Sequence, residues 1–147
     1  MPAYDCPRPA LTVDVAAFRG APGEREVLLI RRGASPYQGA WALPGGFVDE
    51  NEPLERAALR ELAEETRLSP AAPLRQVGAY GDPGRDPRGW TVSVLFAVVL
   101  GDEEPGVVAG GDDAAEAAWH PVSSLPALAF DHAVIVADAV ALTESAT

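Results

Sequence analysis

Glu61, Glu64 and Glu65, three carboxylates at spacings of three and one, are where this 147-residue chain could do chemistry. On a helical wheel advancing about 100° per residue, with Glu61 at zero, Glu65 lies near 40° and Glu64 near 300°. All three then share an arc of roughly 100°. Like charges so placed destabilise an isolated helix by a few tenths of a kcal/mol per pair. A hard divalent cation, Mg²⁺ or Mn²⁺, is the natural partner, because such ions take carboxylate oxygens. The plainer alternative is a solvated acidic face with i,i+4 arginine pairs, for Arg56 and Arg60 stack one turn apart beside Glu64.

These acids need a helix and something to aim it. Gly45-Gly46 opens a loop, Pro53 suits the first helical position, and Ala, Leu, Arg and Glu dominate the residues that follow. Leu59, Leu62 and Ala63 fall between about 100° and 200° on the same wheel, the face predicted to be buried.

From Gly46 the pattern runs Gly, five residues, Glu52, seven residues, Arg60-Glu61-Leu62, one residue, Glu64-Glu65, one residue, Arg67, Leu68. It resembles the signature of the Nudix hydrolases, matching every fixed position but one, since Arg67 stands where the family has glycine. That glycine would follow the helix in a left-handed conformation. An arginine there either accepts a positive φ at a cost on the order of 1 kcal/mol or ends the helix differently.

The resemblance implies a Nudix-type α/β/α sandwich with a mixed sheet, one domain over residues 1–147, and metal-dependent hydrolysis of a nucleoside diphosphate derivative. Carried over position by position, Glu61, Glu64 and Glu65 would be metal ligands, with Glu61 a candidate base, and a backbone carbonyl of Gly45 or Gly46 would add an oxygen. Glu52 and Arg60 would brace those ligands. A later loop carboxylate often joins them in the family, and Asp112, Asp113 and Glu116 are candidates among which the sequence does not choose. The stretches Asp82–Gly89 and Leu128–His132, and Pro83 about 15 residues beyond the signature, resemble the bacterial ADP-ribose pyrophosphatase-like branch. Arg85 or Arg88 could clamp a phosphate bidentately. Phe47, Tyr80 or Trp90 could stack on adenine, and Asp131 and His132 could touch substrate, although His132 also suits a helix start.

The remaining chain is consistent with such a domain. Its 11 basic and 22 acidic residues give a net charge of −11, which argues against a nucleic-acid partner and leaves a small anionic substrate reachable through metal ions. Cys6 is the only cysteine, so no intrachain disulfide forms, and it is read as structural or incidental. No apolar run approaches a membrane span, no secretory signal is visible, and a cytoplasmic protein is expected. Leu11–Phe18 alternates as a strand with one buried face, and Glu26–Arg32 follows through a Gly/Pro turn as its hairpin partner. Leu74–Tyr80 and Thr91–Leu100 read as strands, 114–122 as a short strand, and Ala133–Ser145 as a last helix with Ile135, Ala139 and Leu142 on one stripe. Trp41 reads as a core residue under the signature loop.

Two other functions suit the same residues. One is a housecleaning, MutT-like nucleoside triphosphate pyrophosphohydrolase. The other is a non-catalytic ADP-ribose or nucleotide sensor; such regulators usually carry an extra DNA-binding domain, for which 147 residues leave no room. Only the resemblance suggests a homodimer.

Overall fold

The computed structural model describes residues 5–101 and 114–145, so Asp112 and Asp113 lie outside the described residues. The apolar runs become β1 (Ala10–Arg19), β2 (Glu26–Arg32), β5 (Arg75–Tyr80) and β6 (Thr91–Val99), with β7 at Ala114–Pro121. Two short strands, β3 (Trp41–Ala42) and β4 (Gly45–Phe47), flank the glycine pair. The helices are α1 (Leu54–Thr66) and α2 (His132–Ser145). The sheet runs β3-β2-β1-β6-β5, with β4 on β1 and β7 on β2. It is mixed: β1 and β6 are parallel, whereas β2, β4 and β5 join antiparallel. The expected β1–β2 hairpin forms, pairing Phe18 with Val27 and Arg19 with Glu26.

One expectation for β1 fails, because both of its faces are buried rather than one. Val13, Val15 and Ala17 pack with Ala57, Ala58 and Leu62 of α1. Ala16 and Phe18 pack with Ile135, Val136 and Ala139 of α2. With a helix on each face, period-2 alternation sorts residues between two apolar layers instead of between core and water. Each fully buried Leu, Ile or Phe contributes roughly 1.5–3 kcal/mol to that assembly.

The buried face of α1 is only partly the one expected: Leu62 is buried, but the face is centred elsewhere. Ala57, Ala58, Leu62, Glu65 and Thr66 are buried, while Leu59 is 37% exposed. The wheel placed the core by its largest apolar residues. The helix is instead rotated toward the sheet on small alanines, and that rotation carries a carboxylate, Glu65, inward. Pro53 is the residue preceding α1, with an extended φ/ψ of −60° and 142°. Arg67 takes the first of the two options open to it: its φ is 63°, left-handed, and its N–H donates to the Ala63 carbonyl at 2.8 Å. Trp41 is half-buried, edge-on to His120 with ring centroids 4.5 Å apart.

Candidate active site

Glycine is required where the loop meets the helix. A Cβ on Gly45 would overlap the Val13 carbonyl and the Asp14 carboxylate, and one on Gly46 would lie 2.6 Å from the carboxylate of Glu61. Without side chains, β4 pairs closely with β1 and lets α1 bring its acids against the loop. The Gly45 N–H donates to Glu65 Oε1 at 2.7 Å. Burial, followed by the charges of Glu61 and Asp14, nevertheless pushes the Glu65 carboxyl up to about 8.

Arg60 ties the acids together. Its Nε and Nη2 donate to the two oxygens of Glu52 at 2.8 and 2.9 Å, its Nη1 to Glu61 at 2.9 Å and Glu64 at 3.3 Å, and Nη2 also to the Phe47 carbonyl at 3.1 Å. Glu52 is held down to about 2, first by the Arg60 hydrogen bond and then by the Asp49 N–H at 3.0 Å. A planar guanidinium suits this work, since its fork meets several carboxylate oxygens at once. Arg60 thus links Glu52 on the loop to Glu61 and Glu64 on the helix.

Arg60 and the three acids of the helix line a cavity of about 420 Å³, and Glu52 stands behind them. Gly45, Gly46, Phe47, Arg60, Glu61, Glu64 and Glu65 form one side, and Arg85, Arg88, Phe130 and His132 also line it. Several expected residues are placed otherwise. Glu116 pairs with Arg31 at 3.1 Å and is not among the cavity-lining residues. Arg85 reaches the cavity with its guanidinium gripped by Asp131 at 2.8 and 2.6 Å, so Asp131 acts on Arg85. Burial would raise the Asp131 carboxyl, but the Arg85 hydrogen bonds and charge outweigh it and hold it below the ordinary range. Arg88 is held by Asp86 at 3.1 and 2.8 Å. The Tyr80 hydroxyl donates to Asp138 at 2.7 Å, and Trp90 lines a separate hollow with Pro83 and Pro87. Of the three aromatics proposed to stack on adenine, Phe47 alone lines the cavity.

Sequence reasoning missed a buried polar chain behind the acids. Asp14 on β1 accepts a hydrogen bond from the Ser93 hydroxyl on β6, and its Oδ1 lies 3.7 Å from His132 Nε2. His132 Nδ1 accepts the Leu43 N–H at 3.0 Å, which puts the ring proton on Nε2, facing Asp14. Burial lowers the pKa of His132 and keeps the imidazole neutral. A signal existed: Asp14 and Ser93 are polar residues in the middle of apolar strands.

The donor set fits a hard divalent cation. Glu61, Glu64 and Glu65 offer carboxylate oxygens to the cavity, and a cation would offset the burial and the neighbouring charges that raise Glu65. Among the described residues no three acids converge into a preformed cage, so the side chains must turn, Glu61 and Glu64 away from Arg60, to share an ion.

A mixed sheet between two helices, with a carboxylate helix packed on a glycine loop, defines an α/β/α sandwich whose site is built for a cation and an anionic ligand. The chain belongs to the Nudix family: a model of the NUDIX domain matches residues 8–139. It is 42% identical over 131 residues to an ADP-ribose pyrophosphatase of Methanocaldococcus jannaschii, covering 88% of this chain and 72% of that protein. An ADPR-responsive transcriptional repressor of Acinetobacter baylyi is 43% identical over 98 residues, 65% of this chain and 39% of the repressor. The solved NUDIX domain of Shewanella oneidensis NrtR, complexed with ADP ribose, superposes with a TM-score of 0.81 at 33% identity, covering 98% of this chain and 94% of the domain.

Proposed function

We propose that this Nudix protein hydrolyses the pyrophosphate bond of ADP-ribose, giving AMP and ribose 5-phosphate, with Mg²⁺ or Mn²⁺ as cofactor. The observation that carries the reading is Glu61, Glu64 and Glu65 lining one cavity, the first two paired with Arg60 and the third with the Gly45 N–H, with Arg85 and Arg88 also reaching it. Similarity to the M. jannaschii enzyme supports the choice of substrate. A divalent ion, when bound, neutralises a diphosphate and acidifies water at the site. Glu61, Glu64 and Glu65 would hold it, together with a carbonyl of Gly45 or Gly46. Arg60 and Glu52 orient the acids, Glu61 or Glu64 takes the proton of the attacking water on a carboxylate oxygen, and Arg85, positioned by Asp131, meets the phosphates.

Screening nucleoside diphosphate and triphosphate substrates with either metal, with products separated by chromatography, tests this. AMP from ADP-ribose supports it; pyrophosphate release from nucleoside triphosphates alone would replace it with the housecleaning activity. Similarity to the A. baylyi repressor favours one other reading, a nucleotide sensor, which ADP-ribose binding without products would establish.

A further inference from the structure

His132 and Asp14 border the cavity and are buried, yet the proposed chemistry gives them nothing to do. Both nitrogens of the neutral His132 ring are directed into the protein: Nδ1 takes the Leu43 N–H, and Nε2–H is turned toward Asp14 Oδ1. Asp14 Oδ2 is occupied by the hydroxyl of the fully buried Ser93. Phe130 packs against the imidazole with ring centroids 5.3 Å apart, and Tyr37 meets Phe130 edge-on at 4.9 Å. A neutral imidazole has one donor and one acceptor, so this ring keeps no polar atom for substrate. Its two partners instead stand on either side of Gly45. Leu43 precedes Gly45 by two residues, and Asp14 faces it in the β1–β4 ladder, so close that a Cβ there would strike the Asp14 carboxylate. The Gly45 N–H then continues the chain to Glu65.

We propose that His132 is a positioning residue: pinned between Leu43 and Asp14, it sets where the Gly45–Gly46 backbone lies against α1, and so the geometry in which Glu65 and Glu61 share a divalent ion. A fixed ring suits this work, because the buried Leu43 N–H needs an acceptor and has no water to turn to. Small displacements matter here. Gly46 lies so close to the Glu61 carboxylate that a Cβ would meet it at 2.6 Å, so a shift of the loop moves it directly against that acid. Groups that orient a metal's ligands commonly contribute about ten- to a hundredfold in affinity or rate. The consequence for catalysis rests on the proposed metal site, whereas the pinning itself is measurable in the metal-free protein.

The test compares wild type, His132→Gln and His132→Asn by amide hydrogen exchange in EDTA, by Mn²⁺ titration, and by kcat and KM for ADP-ribose. His132→Gln reaches toward Asp14 but leaves the Leu43 N–H without its acceptor; His132→Asn keeps an acceptor where Nδ1 stands. In His132→Gln the Leu43 and Gly45 amides should exchange at least about tenfold faster in EDTA. Mn²⁺ affinity and kcat should fall by about ten- to a hundredfold, with KM within about threefold of wild type. His132→Asn should recover most of each loss. Ser93→Ala, a small deletion that keeps the test available should His132→Gln not fold, should show the same pattern on a smaller scale. Three results overturn the assignment: a Gly45 amide and kcat unchanged in the variants, His132→Asn no better than His132→Gln, or a raised KM at unchanged kcat, which would make His132 a substrate contact. A wild type whose Gly45 amide depends on His132 in EDTA yet releases no AMP from ADP-ribose overturns the proposed activity and leaves the pinning standing.

Discussion

Replacing Glu65 by Gln isolates the electrostatic cost of packing the site. Burial and the charges of Glu61 and Asp14 lift this carboxyl from near 4.5 to about 8. A group that binds its proton more tightly when folded contributes stability that is complete below its unfolded pKa and is lost as pH rises through the folded one. His132 acts in the opposite direction: burial lowers it below 6.5, so its contribution is complete above 6.5 and is lost in acid. Glu52, held at about 2, adds stability that disappears only below about 4.5. The clean window is therefore pH 6.5 to 8, where Glu65 dominates. Its slope approaches about 1.4 kcal/mol per pH unit, and partial ionisation near pH 8 limits the total to roughly 1.5 kcal/mol. For a chain of this size that is about 3–6 °C in Tm. Urea unfolding in EDTA, followed by tryptophan fluorescence, should show the wild type losing this stability across the window and Glu65→Gln losing almost none. Added Mg²⁺ should flatten the wild-type loss, because a cation favours the ionised carboxylate. A flat wild-type profile, or a variant with the same slope, would refute the reasoning.

Three other substitutions follow from the same geometry. Gly46→Ala places its Cβ against the movable end of Glu61, so stability should change by less than about 1 kcal/mol while kcat falls at least about tenfold; equal activity would show that Glu61 need not sit there. Gly45→Ala meets the backbone of Val13 and should cost about 1–3 kcal/mol in urea unfolding, so an unchanged midpoint would contradict the close pairing of β4 with β1. Arg67→Gly removes left-handed strain at an exposed position and should gain about 0.5–1 kcal/mol after the entropy of glycine is subtracted, with activity unchanged; a lower Tm would show that the arginine itself supports the helix end.

Residues 45–68 were legible because their chemistry is local. A glycine pair, a helix-starting proline and acids at helical spacing all act within two dozen residues, and the Arg60–Glu52 brace spans only eight. The burial of Glu65 was not legible, because hydrophobicity alone assigns the core to Leu59, whereas close packing on alanines turns the helix elsewhere. The long-range groups were hidden for a different reason. Asp14 and Ser93 meet because β1 and β6 run parallel, and Tyr37 meets Phe130 through two left-handed backbones, neither of which any single stretch encodes. Arg85 and Asp131 were each visible as candidates, but their mutual grip, across 46 positions, was not.

The central claim is that Glu61, Glu64 and Glu65 hold a divalent ion against a diphosphate. Mn²⁺ titration followed by electron paramagnetic resonance, on wild type and Glu64→Gln in parallel with AMP release from ADP-ribose, tests it most directly. The account predicts saturable Mn²⁺ binding by the wild type, with Glu64→Gln losing both affinity and kcat by orders of magnitude while its circular dichroism stays unchanged. Equal Mn²⁺ binding and equal AMP release by the folded variant would contradict it.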